Sequence, residues 1–166
     1  MRTPNRVLLI GCAGVGKTWA IESLLKYFKC LRTHKYGKFY FHRNDNIVIV
    51  GKYDGSMFQG SDRLSMSIMT DVDAFLKHTE QDFVILEGDR FTNSTFITKA
   101  NPTIIRINGD GSQGRLKRGS TQTERQLKSI ATRISNIELS EWDYEVDNSK
   151  QAYELVKLIY KGYDTK

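Results

Sequence analysis

Apolar residues follow two rhythms along this chain, and the rhythms alternate. Residues 7–10 (Val7, Leu8, Leu9, Ile10) form an unbroken apolar run, the pattern of a strand buried on both faces. Residues 17–29 switch to helical spacing, with Ile21, Leu24, Leu25 and Phe28 on one side. Two short runs rich in Phe, Tyr, Val and Ile follow at 38–42 and 46–52. Arg43, Asn44 and Asp45 lie between them as turn residues, which predicts a β-hairpin. A loop over 53–65 leads to a helix at 66–78, whose inner face is Ile68, Met69, Val72, Phe75 and Leu76. Residues 82–87 read as a buried strand ending in an acid. A short helix at 92–99 has Thr92 or Asn93 near its cap. Residues 103–107 form another strand, and 108–120 a mobile, glycine-rich, basic loop. A helix at 124–137 carries Leu127, Ile130, Ala131, Ile134 and Ile137 inward, and a last helix covers 149–160. Strands alternating with helices predict a three-layer α/β/α fold: a parallel sheet with helices on both faces and the hairpin as an addition.

Composition sharpens this picture little, but charge does. The 166 residues suffice for one domain with its own core, 1–166, and no linker, repeat or low-complexity tract divides them. The apolar runs are too short to span a membrane or to form a signal-peptide core, so the expected location is cytoplasmic. Cys12 and Cys30 stand at either end of a predicted helix, roughly 18 Å apart, too far for a disulfide. The net charge of +6 is unevenly spread. Residues 26–43 carry Lys26, Lys29, Arg32, Lys35, Lys38 and Arg43 without an acid. Aromatics (Tyr27, Phe28, Tyr36, Phe39, Tyr40, Phe41) are interleaved. A second basic block covers 109–133, and the tail from 134 is acidic on balance. Basic segments with aromatics suit a polyanion such as DNA, although charge runs more often form a solvated face.

The densest chemical signal lies between the first strand and the first helix. Gly11, Cys12, Ala13, Gly14, Val15, Gly16, Lys17 and Thr18 spell a complete G-x-x-x-x-G-K-[ST] phosphate-binding loop. The glycines let backbone N–H groups converge on phosphate oxygens, and the helix N-terminus adds positive partial charge there. Lys17 is placed to reach the β- and γ-phosphates of ATP, and the Thr18 hydroxyl to ligate Mg²⁺. No Asp is followed by Gly three residues later and no N-K-x-D occurs, which argues against a signalling GTPase and for adenine. These features predict a P-loop kinase fold.

Three further constellations could serve phosphoryl transfer. Glu87 ends a buried strand, where the second carboxylate on the Mg²⁺ side belongs, and Asp89 and Arg90 follow toward the substrate. Lys52 and Asp54 lie just past a strand, and Asp62 and Arg63 just before a helix. A hydroxyl acceptor needs a carboxylate to orient it and take its proton. Asp62 is the preferred candidate and Asp54 the alternative; Asp62 or Ser65 could equally cap the helix. Arg63 beside Asp62 would hold an anionic group of the substrate. The loop at about 109–120 bears Arg115, Lys117 and Arg118, with Arg125 following. It reads as a lid whose arginines neutralise the transferring phosphoryl, with Gly109, Gly111, Gly114 and Gly119 as hinges. Spacing does not rank Arg115, Arg118 and Arg125.

Taken together, GCAGVGKT at 11–18, GKYDG at 51–55, GSDRLS at 60–65, EGDR at 87–90 and the 132–137 segment resemble a family of small P-loop kinases of bacterial viruses. The resemblance covers about residues 5–137. Members of that family phosphorylate 5-hydroxymethyluracil bases within DNA, a step toward hypermodified DNA. It implies ATP and Mg²⁺ at Lys17, Thr18 and Glu87, Asp62 acting on the 5-hydroxymethyl group, and DNA as substrate. A free nucleotide or nucleoside kinase and a nucleotide-dependent regulatory ATPase remain as alternatives.

Overall fold

The computed structural model of the chain describes residues 1–54, 60, 64–65, 67–109, 111–118 and 123–165, with the backbone alone at 113, 117 and 118. Among them seven strands form one sheet: β1 (Thr3–Gly11), β2 (Arg32–Tyr36), β3 (Phe39–Asn44), β4 (Ile47–Val50), β5 (Phe83–Glu87), β6 (Pro102–Ile107) and β7 (Tyr144–Val146). Their order is β2-β3-β4-β5-β1-β6-β7. The five from β4 to β7 in that order run parallel, while β3 is antiparallel to β4 and β2 to β3.

The helices are α1 (Lys17–Phe28), α2 (Val72–His78), α3 (Ser94–Ala100), α4 (Ser112–Arg118), α5 (Glu124–Ser135) and α6 (Ser149–Asp164). They sort to two faces by what their apolar stripes meet. Leu8, Ile10, Val48, Val84, Leu86 and Ile104 point to the side covered by α2, α3 and α5. Val7, Leu9, Ile49, Ile85 and Ile105 point to the side covered by α1 and α6. The period of two in a strand explains the split: every residue of an unbroken apolar run finds a core, on one side or the other.

Local chemistry sets the helix ends. Lys29, at φ 57°, closes α1 by returning its N–H to the carbonyls of Leu25 and Lys26. Asn93 caps α3 by accepting from the Phe96 N–H at 2.8 Å. Thr123 and Gln126 cap α5 reciprocally, and Asn148 caps α6. Long-range ties anchor the sheet. The buried Asp143 carboxylate accepts from Arg2, from the Ile104 N–H at 2.8 Å and from Ser140. Arg43 forks onto Asp82 at 3.0 and 2.9 Å, binding β3 to the approach of β5.

The three-layer expectation is met, with the hairpin placed differently. The segment at 46–52 is no addition: β4 pairs in parallel with β5 and belongs to the core of the sheet. All four of its residues are buried, as in a central strand. The additions are β3 and β2, and β2 (Arg-Thr-His-Lys-Tyr) has no apolar alternation to announce it. It is an edge strand, and its cations protect an otherwise open row of backbone groups. The described part of the expected 66–78 helix, residues 67–78, holds a 3₁₀ turn, Ile68–Asp71, followed by α2. In α5, Ile134 is buried while Ala131 faces solvent. Most of the expected 108–120 loop is helix α4.

Candidate phosphoryl-transfer site

The phosphate loop leaves the carboxyl end of β1, at the centre of the parallel strands, where open α/β sheets place their ligands. Gly14 and Gly16 adopt φ of 90° and 100°, which side chains rarely tolerate, and α1 starts at once with Lys17. Lys17 Nζ donates to the carbonyls of Gly11 (2.5 Å) and Cys12 (3.0 Å), so the ammonium lies on the loop itself. Thr18 stands half-buried in the first helical turn. Cys12 and Val15 pack against the two cores and anchor the loop on either side of the sheet.

Glu87 stands next to this loop. It ends β5 in register with Leu9 of β1, two residues before the loop begins, and the Gly88 N–H donates to the Leu9 carbonyl at 3.2 Å. Its side chain is buried, with 4% of the residue exposed. Tyr53 Oη donates to Glu87 Oε1 at 3.1 Å. Gly60 crosses so close that a Cβ there would lie 2.7 Å from Glu87 Oε1 and 2.9 Å from Tyr53 Oη. Gly60 in turn pairs with Lys52 through two backbone bonds, at 2.7 and 3.2 Å. Glu87 thus stands beside the strand that leads into the loop of Lys17 and Thr18, and Tyr53 and Gly60 link it to the segment that carries Lys52 and Asp54. Lys52 Nζ lies 5.1 Å from the centre of the Tyr40 ring, and Asp54 is exposed.

The other expected residues fall out as follows. Asp62 and Arg63 lie outside the described residues; their described flanks are Gly60, against Glu87, and Leu64, whose carbonyl accepts from Arg90 Nε at 3.5 Å. Asp89 forms an ion pair with Arg133 of α5. Arg125 is exposed in the first turn of α5 and makes no hydrogen bond or ion pair among the described residues.

The expected lid is not a loop at its centre. Helix α4 packs on the phosphate loop backbone to backbone. A Cβ on Gly111 would meet the Ala13 carbonyl at 1.9 Å, and one on Gly114 would meet the Gly14 carbonyl at 1.9 Å. These two glycines therefore serve close approach, and Gly114, inside the helix, is no hinge. Arg115 Nη1 donates to the Ala13 carbonyl at 2.8 Å. The side chains of Lys117 and Arg118 lie outside the described residues, as does Gly119.

No protein-family model matches the chain, and no curated protein matches it by sequence. Among solved structures it is similar to a gluconokinase from Sinorhizobium meliloti 1021, with a TM-score of 0.54 and 10% identity over 100% of this chain and 99% of that one. The likeness is one of fold. It bears out the three-layer, P-loop kinase-like architecture along the whole chain. The finer resemblance to a viral hydroxymethyluracil kinase has no counterpart among these matches.

The donor set suits a hard divalent cation held partly through water: a hydroxyl at Thr18 and a buried carboxylate at Glu87. Among the described residues, no group of three or more His, Cys, Asp or Glu is placed to hold a metal ion. Burial pushes the Cys30 thiol up to about 11, so it stays a neutral core group. No described helix is long and apolar enough to cross a membrane.

Sequence reasoning missed three residues here. Tyr53 and Arg133 lay inside motif segments without an assigned role, at 51–55 and 132–137. His42, a buried polar residue in an aromatic strand, accepts from the Tyr53 N–H at Nε2 (3.2 Å). An imidazole among Phe and Tyr was its only signal.

Proposed function

We propose that this chain is an ATP-dependent phosphotransferase that moves the γ-phosphate to a hydroxyl group. We further propose that the acceptor is the 5-hydroxymethyl group of hydroxymethyluracil in phage DNA. One observation carries the first part: a complete phosphate loop at the end of β1, with the buried Glu87 carboxylate ending the adjacent parallel strand. Lys17 neutralises charge on the transferred group, and the α1 N-terminus binds phosphate through its N–H groups. Thr18 and Glu87 hold Mg²⁺, which when bound draws charge from the phosphate oxygens. Asp62 orients the acceptor hydroxyl and takes its proton, with Asp54 as the alternative. Lys52, Arg63, Asp89 and Arg90 are assigned to binding the acceptor, and Arg115, Arg118 and Arg125 to neutralising the transferred phosphoryl.

The acceptor assignment rests on the motif resemblance and on the surface of β2 and β3. Lys35 projects there beside Tyr40, its Nζ 5.4 Å from that ring's centre, and Lys52 Nζ lies 5.1 Å from the same ring, while Arg32 and Arg43 pair on the opposite face. Cations for phosphates next to aromatic faces suit a DNA strand with an unstacked base. A second reading, a free nucleotide or nucleoside kinase, draws on the fold match over 99% of a gluconokinase, a kinase named for a small-molecule substrate. The deciding assay offers γ-labelled ATP and Mg²⁺ with hydroxymethyluracil DNA, thymine DNA or free hydroxymethyl-deoxyuridine monophosphate. Label on the modified DNA alone is the expected result. Label on the free nucleotide would replace it with the second reading, and ATP hydrolysis without any acceptor would point to a regulatory ATPase.

A further inference from the structure

Between the phosphate loop and the β2–β3 surface lies a chain of contacts with no role in the reading above. Tyr53 sits at its middle. Its hydroxyl donates to Glu87 Oε1 at 3.1 Å, and its backbone N–H donates to His42 Nε2 at 3.2 Å. The His42 and Tyr53 rings pack at 5.8 Å between centroids, tilted by 53°. His42 is 3% exposed, and burial, then the neighbouring His34, push its imidazole below its ordinary value. A neutral imidazole that accepts at Nε2 carries its proton on Nδ1. Next to Tyr53, Lys52 pairs with Gly60, and Gly60 passes so close to the Tyr53–Glu87 bond that a Cβ there would lie 2.9 Å from the hydroxyl and 2.7 Å from the carboxylate.

We propose that Tyr53 is a positioning residue that fixes the Glu87 carboxylate for the metal and ties it to the Lys52–Gly60 crossing, with His42 as the buried acceptor that holds Tyr53 in place. This rests on the phosphotransferase reading, since it gives Glu87 a metal to serve. The physical case is that a buried carboxylate can swing among rotamers unless a donor pins one oxygen. Partners outside the coordination sphere that pin a ligand typically change metal affinity 10–100-fold. The tyrosine hydroxyl pins the Oε1 oxygen at 3.1 Å. The His42–Tyr53 bond spans 11 positions and the Tyr53–Glu87 bond 34, so Tyr53 adds a side-chain link between β3 and the end of β5 to the strand pairing.

The test compares wild type with Tyr53→Phe, His42→Gln and His42→Leu in two titrations. One measures ATP affinity with EDTA present; the other measures Mn²⁺ affinity of the ATP-saturated protein by electron paramagnetic resonance. Tyr53→Phe should bind metal-free ATP like wild type and Mn²⁺ about tenfold more weakly. His42→Gln keeps an acceptor for the Tyr53 N–H and should retain Mn²⁺ affinity within about twofold. His42→Leu should match Tyr53→Phe. Mn²⁺ affinity unchanged in Tyr53→Phe overturns the proposal while leaving the phosphotransferase reading intact. Should wild type bind no ATP, that reading falls. The strut is then decided by the ¹³C resonance of the Glu87 carboxyl in the ligand-free protein, where a resonance unmoved by Tyr53→Phe overturns it.

Discussion

Asp143 shows at residue scale how one side chain can hold distant parts of a sheet. Burial alone would raise its carboxyl, but Arg2, the Ile104 N–H and Ser140 bond the charged form and hold it below its ordinary range. A carboxyl depressed in the folded state stabilises the fold above its unfolded value, and that stability is lost as pH falls through the folded value. Acid should therefore weaken the protein below about pH 4. Asp143→Asn should cost about 2 kcal/mol at pH 7 and flatten the stability profile in that window, as measured by urea melts at several pH values. An unchanged acid limb would remove Asp143 from this role. The candidate site divides in the same way between what a sequence can and cannot display. Lys17 and Thr18 were legible because the loop is local, and Glu87 because an acid ended an apolar run. The Tyr53–Glu87 and Arg133–Asp89 pairs span 34 and 44 positions, and no spacing rule reaches across such distances.

At the scale of elements, α4 is the informative departure. Its segment is polar and glycine-rich, which reads as a mobile loop when local preference is weighed alone. Tertiary packing decides otherwise, because Gly111 and Gly114 let two backbones meet where any side chain would separate them. Gly114→Ala separates the two effects. Alanine favours the helix itself by about 1 kcal/mol over glycine. The added methyl would nevertheless stand 1.9 Å from the Gly14 carbonyl, a backbone atom that cannot swing aside. Helix α4 should leave the phosphate loop, with amide exchange in α4 about tenfold faster or more and global stability nearly unchanged. Exchange equal to wild type would show that the contact does not hold α4. The mirror case is β4, where the strand was legible but its partner was not: Ile-Val-Ile-Val announces burial on both faces, and only the fold reveals β5 as its parallel neighbour.

For the whole molecule, alternation of strand and helix was enough to foresee three layers, with the 11–18 loop at the carboxyl end of β1. The basic edge strand β2 and the three-residue β7 were not foreseen, since neither has an apolar rhythm. The charge asymmetry gains a location: the cations of 26–43 gather on the end of α1 and on β2 and β3, at one edge of the sheet, and acidic Glu145 lies on β7 at the other. All of this supports a central claim, that the phosphate loop binds ATP and Lys17 acts on its γ-phosphate. The most direct measurement is calorimetric ATP binding together with γ-phosphate transfer for wild type and Lys17→Ala, with Tm recorded for both. Wild type should bind ATP and transfer its γ-phosphate, and the variant should lose transfer by about 10³-fold or more with Tm nearly unchanged. Transfer retained by a folded Lys17→Ala protein would contradict that claim.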